Sequence, residues 1–329
     1  MSMSISLVTG GAGFIGSHLV EALLERGQRV RVLDNFSTGS RANLDGVRSR
    51  IDLVEGDITD VATVVRAMQG VEVVYHQAAL ASVPRSIANP LATHRACVDG
   101  TLQILLAARD ARVRRVVYAA SSSAYGNNPS LPRRESDQTL PMSPYAVAKL
   151  AGEQYCAAFS EVYGLETVRL RYFNVFGPRQ SPDSPYAAVI PLFLQALSQG
   201  KAPRIQGDGK QTRDFTYIAD VVRANLLAGE APGVSGQVYN VACGKRTSLL
   251  QLVEHLNEIL GTDIPAEHAA ARPGDVRHSL ADISSARADL EYEPTTDMLT
   301  GLRKTVEWWQ KTRGVPAKAA TAATTPVAR

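Results

Sequence analysis

Residues 5–19, ISLVTGGAGFIGSHL, leave the start of this chain few folds to choose from. A short apolar run that meets Gly10, Gly11, Gly13 and Gly16 and then enters a helical pattern demands a strand, a tight turn and a helix N-terminus, in that order. Glycine lets the backbone turn sharply and lie close to a ligand, while the free N–H groups at the positive helix end attract an anion. The segment therefore predicts the pyrophosphate-binding turn of a dinucleotide site. Gly10, Gly13 and Gly16 line that turn, and Phe14 and Ile15 contribute backbone amides.

The next hundred residues repeat the same rhythm. RVRVLD, DLVEGD and VEVVYHQA read as strands, and HLVEALLERG, VATVVRAMQG and TLQILLAARDA as helices. The apolar runs are nearly continuous, as in strands covered on both faces. RRVVYAASSSAYG and TVRLRYFNVFGP add two more strands around a long helix in which Ser143 is the N-cap, Pro144 suits the first turn and Gly164 is the stop. The fold class is α/β: a Rossmann-like, doubly wound parallel sheet with a smaller mixed α/β substrate-binding lobe. Residues 1–175 form mainly the first domain and 176–310 mainly the second lobe, with some segments returning to the sheet. Residues 311–329, poor in large apolar side chains, read as a disordered tail. The apolar faces of TLQILLAARDA and of the Pro144 helix fit either burial within one subunit or a homodimer contact.

Composition narrows the function. The 329 residues are 45% hydrophobic, and 35 Lys and Arg against 32 Asp and Glu leave a charge of only +3, which gives no argument for nucleic acid. Cys97, Cys156 and Cys243 form no CxxC pair, and no apolar run reaches membrane-spanning length, so a cytoplasmic protein without a membrane partner is expected. No metal site is expected either, since His18, His76, His255, His268 and His278 fall into no HExxH or compact ligand pattern.

Asp34 ends the second strand, where a carboxylate accepts both ribose hydroxyls and repels a 2′-phosphate. This favours NAD over NADP, with Arg41 the residue that opposes the preference. Asn35 is an auxiliary hydrogen-bonding group. Asp57 and Ile58 follow the third strand and lie beside the adenine, although Asp57 serves equally well as a helix cap. Gln77, Ala78 and Ala79 follow the fourth strand, and His76 reads as a core residue behind them.

Tyr145 and Lys149 are one helical turn apart and share a face. A phenol is a poor base near neutrality, but a neighbouring ammonium and a positive nicotinamide both favour its phenolate. Ser121, Ser122 and Ser123 end a central strand, where one hydroxyl can orient a substrate oxygen and relay its proton to Tyr145. Arg213 in GKQTRDF and Arg272 in ARPGD offer guanidinium forks to a pyrophosphate. Ala188 and Val189 in YAAVIP either line the nucleotide pocket or pack in the core.

TGGAGFIG, SSSAYG, SPYAVAKLAGE, RYFNVFGPRQ, GDGKQTRDFTYIADV and RPGDVRHSLADI together identify the chain as a member of the extended short-chain dehydrogenase/reductase family. It resembles the nucleotide-sugar 4-epimerases from Ile5 to about Trp309. The resemblance implies that Tyr145 is the base, that Lys149 holds the nicotinamide ribose and that Ser121 polarises the substrate. It also implies that Ser123, or Ser122, touches the sugar, with Tyr172 near the nicotinamide, Asn174 near the substrate phosphate or sugar, and Asp275 on its ribose. One family feature is absent: the segment before Gly100-Thr101 reads Ala96-Cys97-Val98-Asp99, without the usual asparagine.

The implied reaction is 4-epimerisation of a UDP-sugar through a 4-keto sugar, with tightly bound NAD regenerated in each turnover. Ser279 stands where some relatives carry a bulky side chain near the acetamido region, which favours UDP-N-acetylglucosamine, with UDP-glucose alongside. The alternatives are a UDP-glucose-only or UDP-uronate or pentose epimerase, a nucleotide-sugar decarboxylase or dehydratase, and a noncatalytic NAD-binding protein. SSSAYG lacks the acidic residue common in decarboxylases and dehydratases, and intact Ser121, Tyr145 and Lys149 argue against the last.

Overall fold

The computed structural model describes residues 4–183, 187–270 and 276–313; Arg272, Asp275 and the tail from residue 314 lie outside the described residues. Seven strands build the central sheet: β1 (Ile5–Thr9), β2 (Arg29–Asp34), β3 (Ile51–Glu55), β4 (Val71–His76), β5 (Arg115–Ser121), β6 (Glu166–Tyr172) and β7 (Gln237–Val241). Their spatial order is β7-β6-β5-β4-β1-β2-β3, and every pairing is parallel. The order reverses between β1 and β4, so the loops after these strands diverge and open a crevice at the strand ends.

Consecutive residues of a strand point to opposite faces, and here both faces are packed. Val8, Val32, Val117 and Leu170 belong to one apolar cluster, whereas Leu7, Leu33, Val74 and Val116 belong to the other. Each such fully buried side chain contributes roughly 1.5–3 kcal/mol. This two-sided burial explains why the strand sequences show apolar runs instead of alternation. Register then brings chemistry to one level, with Thr9 beside His76 and Ser121 beside Tyr172.

The helix Pro144–Tyr163 begins and ends where local chemistry requires. The Ser143 side chain accepts the N–H of Ala146 at 3.2 Å, and Gly164 takes the left-handed conformation at φ 66°. Two elements from beyond residue 176 return to the sheet: β7 pairs with β6, and the helix Ile218–Glu230 packs on the helix Phe14–Glu25 and on β4, β5 and β6. The remaining lobe holds the helices Val189–Ser198, Leu249–Leu260 and Met298–Arg313 with three two-stranded ribbons. Among the described residues, no helix is long and apolar enough to cross a membrane.

Candidate active site

A cavity of about 1380 Å³ runs along the strand ends from the glycine turn to the second lobe. It exceeds the roughly 300–1,000 Å³ usual for one small ligand, as a site for a dinucleotide plus a second nucleotide must. Gly10, Gly13, Phe14, Ile15, Gly16, Asp34, Asn35, Asp57, Ile58, Gln77 and Tyr172 all line it, together with Ser121, Ser122, Ser123, Tyr145, Lys149, Asn174, Ala188, Arg213 and Ser279. Val189 does not: it opens its helix and packs against the apolar core, because the chain turns there and leaves Ala187 and Ala188 on the cavity wall.

The glycine turn accepts no larger residue. Gly10 has φ 69°, and a Cβ on it would lie 2.7 Å from the Ala78 amide nitrogen; one on Gly16 would lie 2.1 Å from the Gly10 carbonyl oxygen. Next to this turn, Asp34 accepts the Ala12 N–H at 2.9 Å and the Phe36 N–H at 2.8 Å. Burial raises its pKa, and the two backbone hydrogen bonds oppose that rise. Each carboxylate oxygen has accepting capacity left over in a residue that lines the cavity, the acceptor set a ribose diol requires. Arg41, the residue set against this preference, is engaged by Glu55 at 2.6 Å and stacks on the Phe36 ring. The close-approach turn and the buried carboxylate fit NAD.

Asn35 donates to Asp57 at 2.6 Å, and the same carboxylate accepts both the N–H and the hydroxyl of Thr59. Asp57 thus shapes the loop after β3, while Asp60 caps the helix Val61–Met68. At the other end, Gln77, Tyr172 and Asn225 close a three-membered ring of hydrogen bonds. The Asn225 Oδ1 accepts from Gln77 at 2.9 Å and from the Tyr172 hydroxyl at 2.9 Å, and Gln77 also donates to Tyr172 at 3.1 Å. Asn225 lies mid-helix and is fully buried, so its place here depends on the tertiary fold and left no sequence signal.

Ser121, Tyr145 and Lys149 meet at the end of β5. Ser123 donates to the Ser121 Oγ from its backbone N–H at 3.2 Å and from its hydroxyl at 2.8 Å. With its lone pairs so occupied, the Ser121 hydroxyl has its own proton to give, and Tyr145 lies near enough to feel it. Burial pushes the Tyr145 phenol above its ordinary value, the Cys97 thiol adds to this, and the Ser121 hydroxyl opposes it. The depression expected from Lys149 therefore does not come from the chain alone. Burial also pushes the Lys149 ammonium down; its Nζ stands 4.5 Å from the centre of the Tyr118 ring, and Tyr118 donates to the Lys149 carbonyl at 3.1 Å.

The segment lacking the usual asparagine forms a π-helical turn, Arg95–Asp99. Ala96 lines the cavity and Cys97 is buried against Ala148. Arg171 braces the site from behind, with both its guanidinium and the Glu153 carboxylate buried and joined at 2.6 and 2.9 Å. It also stacks on Tyr125, whose hydroxyl donates to Asn240 at 2.6 Å. The segment Ser82–Arg85 lines the cavity as well, a contribution the sequence signals only through Ser82, which caps a short helix ahead of Pro84. No group of three or more His, Cys, Asp or Glu that could hold a metal occurs among the described residues.

Residues 6–242 match the NAD dependent epimerase/dehydratase family, and the chain belongs to that family. Among its relatives, the UDP-glucose 4-epimerase of Mycolicibacterium smegmatis is 39% identical over 309 residues, covering 93% of this chain and 98% of the relative. The structure is similar to that of the UDP-N-acetylglucosamine 4-epimerase from Methanobrevibacter ruminantium in complex with UDP-N-acetylmuramic acid (TM-score 0.90, 41% identity, 95% of this chain and 100% of that one). It is also similar to the Thermus thermophilus UDP-glucose 4-epimerase in complex with NAD (TM-score 0.84, 34% identity, 93% and 99% covered).

Proposed function

We propose that this chain interconverts UDP-N-acetylglucosamine and UDP-N-acetylgalactosamine by inversion at C4, accepts UDP-glucose as a second substrate, and keeps its NAD through many turnovers. It is an NAD-dependent epimerase of UDP-hexoses. The observation that carries the reading is that Ser121, held by Ser123, lines with Tyr145 and Lys149 the same crevice at the strand ends as the glycine turn and Asp34. When bound, NAD supplies reversible hydride acceptance at the sugar carbon.

Tyr145 takes the proton of the sugar 4-hydroxyl, directly or through Ser121, and later returns it. Lys149 binds the nicotinamide ribose and, with the positive charge of the cofactor, offsets the burial that holds the phenol protonated. Arg213, Arg272 and Asp275 anchor the UDP moiety, so the sugar can turn over without leaving. The small Ser279 on the cavity wall leaves room for an acetamido group, and the similar structure from Methanobrevibacter ruminantium bears the name of that epimerase.

A homodimer goes with this reading. Val147, Tyr155 and Val162 are exposed along one stripe of the helix Pro144–Tyr163, as a face that meets a second copy would be. The three unpaired cysteines suit a cytoplasmic location. The test is incubation of the purified protein with UDP-N-acetylglucosamine and, separately, UDP-glucose, without added NAD, followed by proton NMR. The 4-epimer of each is expected. If neither forms even after NAD is supplied, the assignment is wrong.

A further inference from the structure

One cation in the cavity makes no close ion pair among the described residues. Arg133 is only 5% exposed, yet no described Asp or Glu pairs with it within 4.0 Å. Its Nη1 donates to the Asn128 Oδ1 at 2.9 Å, and that is the one side-chain hydrogen bond it makes among the described residues. The Asp137 charge favours the Arg133 cation from beyond ion-pair distance, and the carboxylates nearest in the chain spend their hydrogen bonds on other groups. Asp137 accepts the Arg134 N–H at 2.8 Å, and Glu135 accepts the Asn240 N–H at 2.7 Å. A guanidinium carries five N–H donors, and no Arg133 nitrogen is among the buried, partnerless side-chain atoms of the described residues, so the donors that Asn128 leaves over can serve a ligand in the cavity that Arg133 lines.

The side chain is also held in place. Asn128 is itself buried and fixed, donating to the Gln138 carbonyl at 2.9 Å and accepting the Ser130 N–H at 2.8 Å. On the opposite side, the Arg133 backbone pairs with the segment that carries Ser279: its N–H donates to the Leu280 carbonyl at 2.8 Å and its carbonyl accepts the Asp282 N–H at 2.8 Å. Arg133 therefore lines the cavity between the Ser121–Gly126 turn and the Ser279 wall, at the end where the sugar, not the adenosine, is expected.

We propose that Arg133 is a specificity-determining residue whose guanidinium, steadied by Asn128 at the sugar end of the cavity, binds a carboxylate on the hexose, so that nucleotide-linked uronic acids enter the site as further ligands beside the neutral sugars and bind more tightly than these. This deepens the reading above and rests on a UDP-sugar occupying the cavity. An N-acetylhexosaminuronate would use both features, the acetamido group facing Ser279 and the carboxylate facing Arg133. A charge-assisted, forked contact of this kind is worth roughly tenfold or more in affinity.

The experiment is equilibrium binding to the NAD-loaded protein of UDP-glucuronate and UDP-glucose, which differ only at C6, with UDP as a third ligand. Wild type, Arg133→Gln and Arg133→Lys are compared by titration calorimetry. The expected result is about a tenfold or larger preference of the wild type for UDP-glucuronate, lost in R133Q and partly kept in R133K, with UDP binding unchanged throughout. A wild type without the preference overturns the proposal. So does an equal loss for all three ligands in R133Q, which would put Arg133 on the UDP they share. Turnover is scored separately: if the bound sugars are not epimerised, the catalytic reading fails while the binding ratio still decides the role of Arg133.

Discussion

His76 makes a sharp energetic test, because its surroundings admit only one protonation state. Thr101 gives its hydroxyl proton to the Cys97 carbonyl at 2.8 Å, so it can only accept from the His76 Nε2 at 3.0 Å. The Nδ1, 2.7 Å from the Thr9 hydroxyl, must then accept, and Thr9 in turn receives the Ala78 N–H at 3.3 Å. A second proton on the ring would break this chain inside the core. Burial, with the charge of Lys149 as the lesser cause, pushes the imidazole down to about 3 from its ordinary 6.5. Because the folded pKa is the lower one, the unfolded chain gains the proton first as pH falls. The stabilisation is complete above about pH 6.5 and is lost on acidification at about 1.4 kcal/mol per unit. Between pH 7 and pH 5 this one group should remove about 2 kcal/mol. Urea unfolding of the wild type and of His76→Gln at both pH values isolates the effect, since the carboxylates titrate alike in the two proteins. The wild type should lose about 2 kcal/mol more than the variant over that interval. An identical pH dependence would refute the single-tautomer argument.

Three further outcomes follow from the site. Tyr145→Phe should lower kcat by about a thousandfold while leaving the NAD content of the purified protein unchanged, as cofactor extraction would measure. Glu153→Gln strips the buried Arg171 of its counter-ion and should cost roughly 3–5 kcal/mol, read as a fall in Tm, with part recovered in the double variant E153Q/R171M. Ser279→Tyr should fill the space assigned to the acetamido group and lower kcat/KM for UDP-N-acetylglucosamine by about tenfold or more relative to UDP-glucose, as overfilling a shaped pocket does.

What could be read in the sequence was chemistry that acts over short spans. Gly10 and Gly16 must be glycines because the Ala78 amide and the Gly10 carbonyl occupy the space of a side chain, and Asp34 must end β2 to reach the turn. Ser143 and Gly164 mark the helix that carries Tyr145 and Lys149 because caps are local hydrogen bonds and local dihedrals. The residues that escaped depend on partners far along the chain. The segment QVYNV gives too short a pattern to announce β7, whose place is set by pairing with β6. Asn225 is a mid-helix asparagine until Gln77 and Tyr172 are folded against it, and Arg133 is an ordinary loop cation until Asn128 and the Leu280 carbonyl enclose it. Val189 shows the converse: one residue from Ala188 in sequence, it turns into the core because a helix begins there.

In the proposed reaction C4 of the sugar is oxidised and then reduced within one binding event, with Tyr145 handling only the hydroxyl proton. UDP-N-acetylglucosamine carrying deuterium at C4, turned over in ordinary water, tests it most directly. UDP-N-acetylgalactosamine should form with the deuterium still on C4, because the hydrogen taken from that carbon returns to it. Epimer that has lost the label to solvent would mean that inversion proceeds by proton exchange at carbon, and would contradict the account.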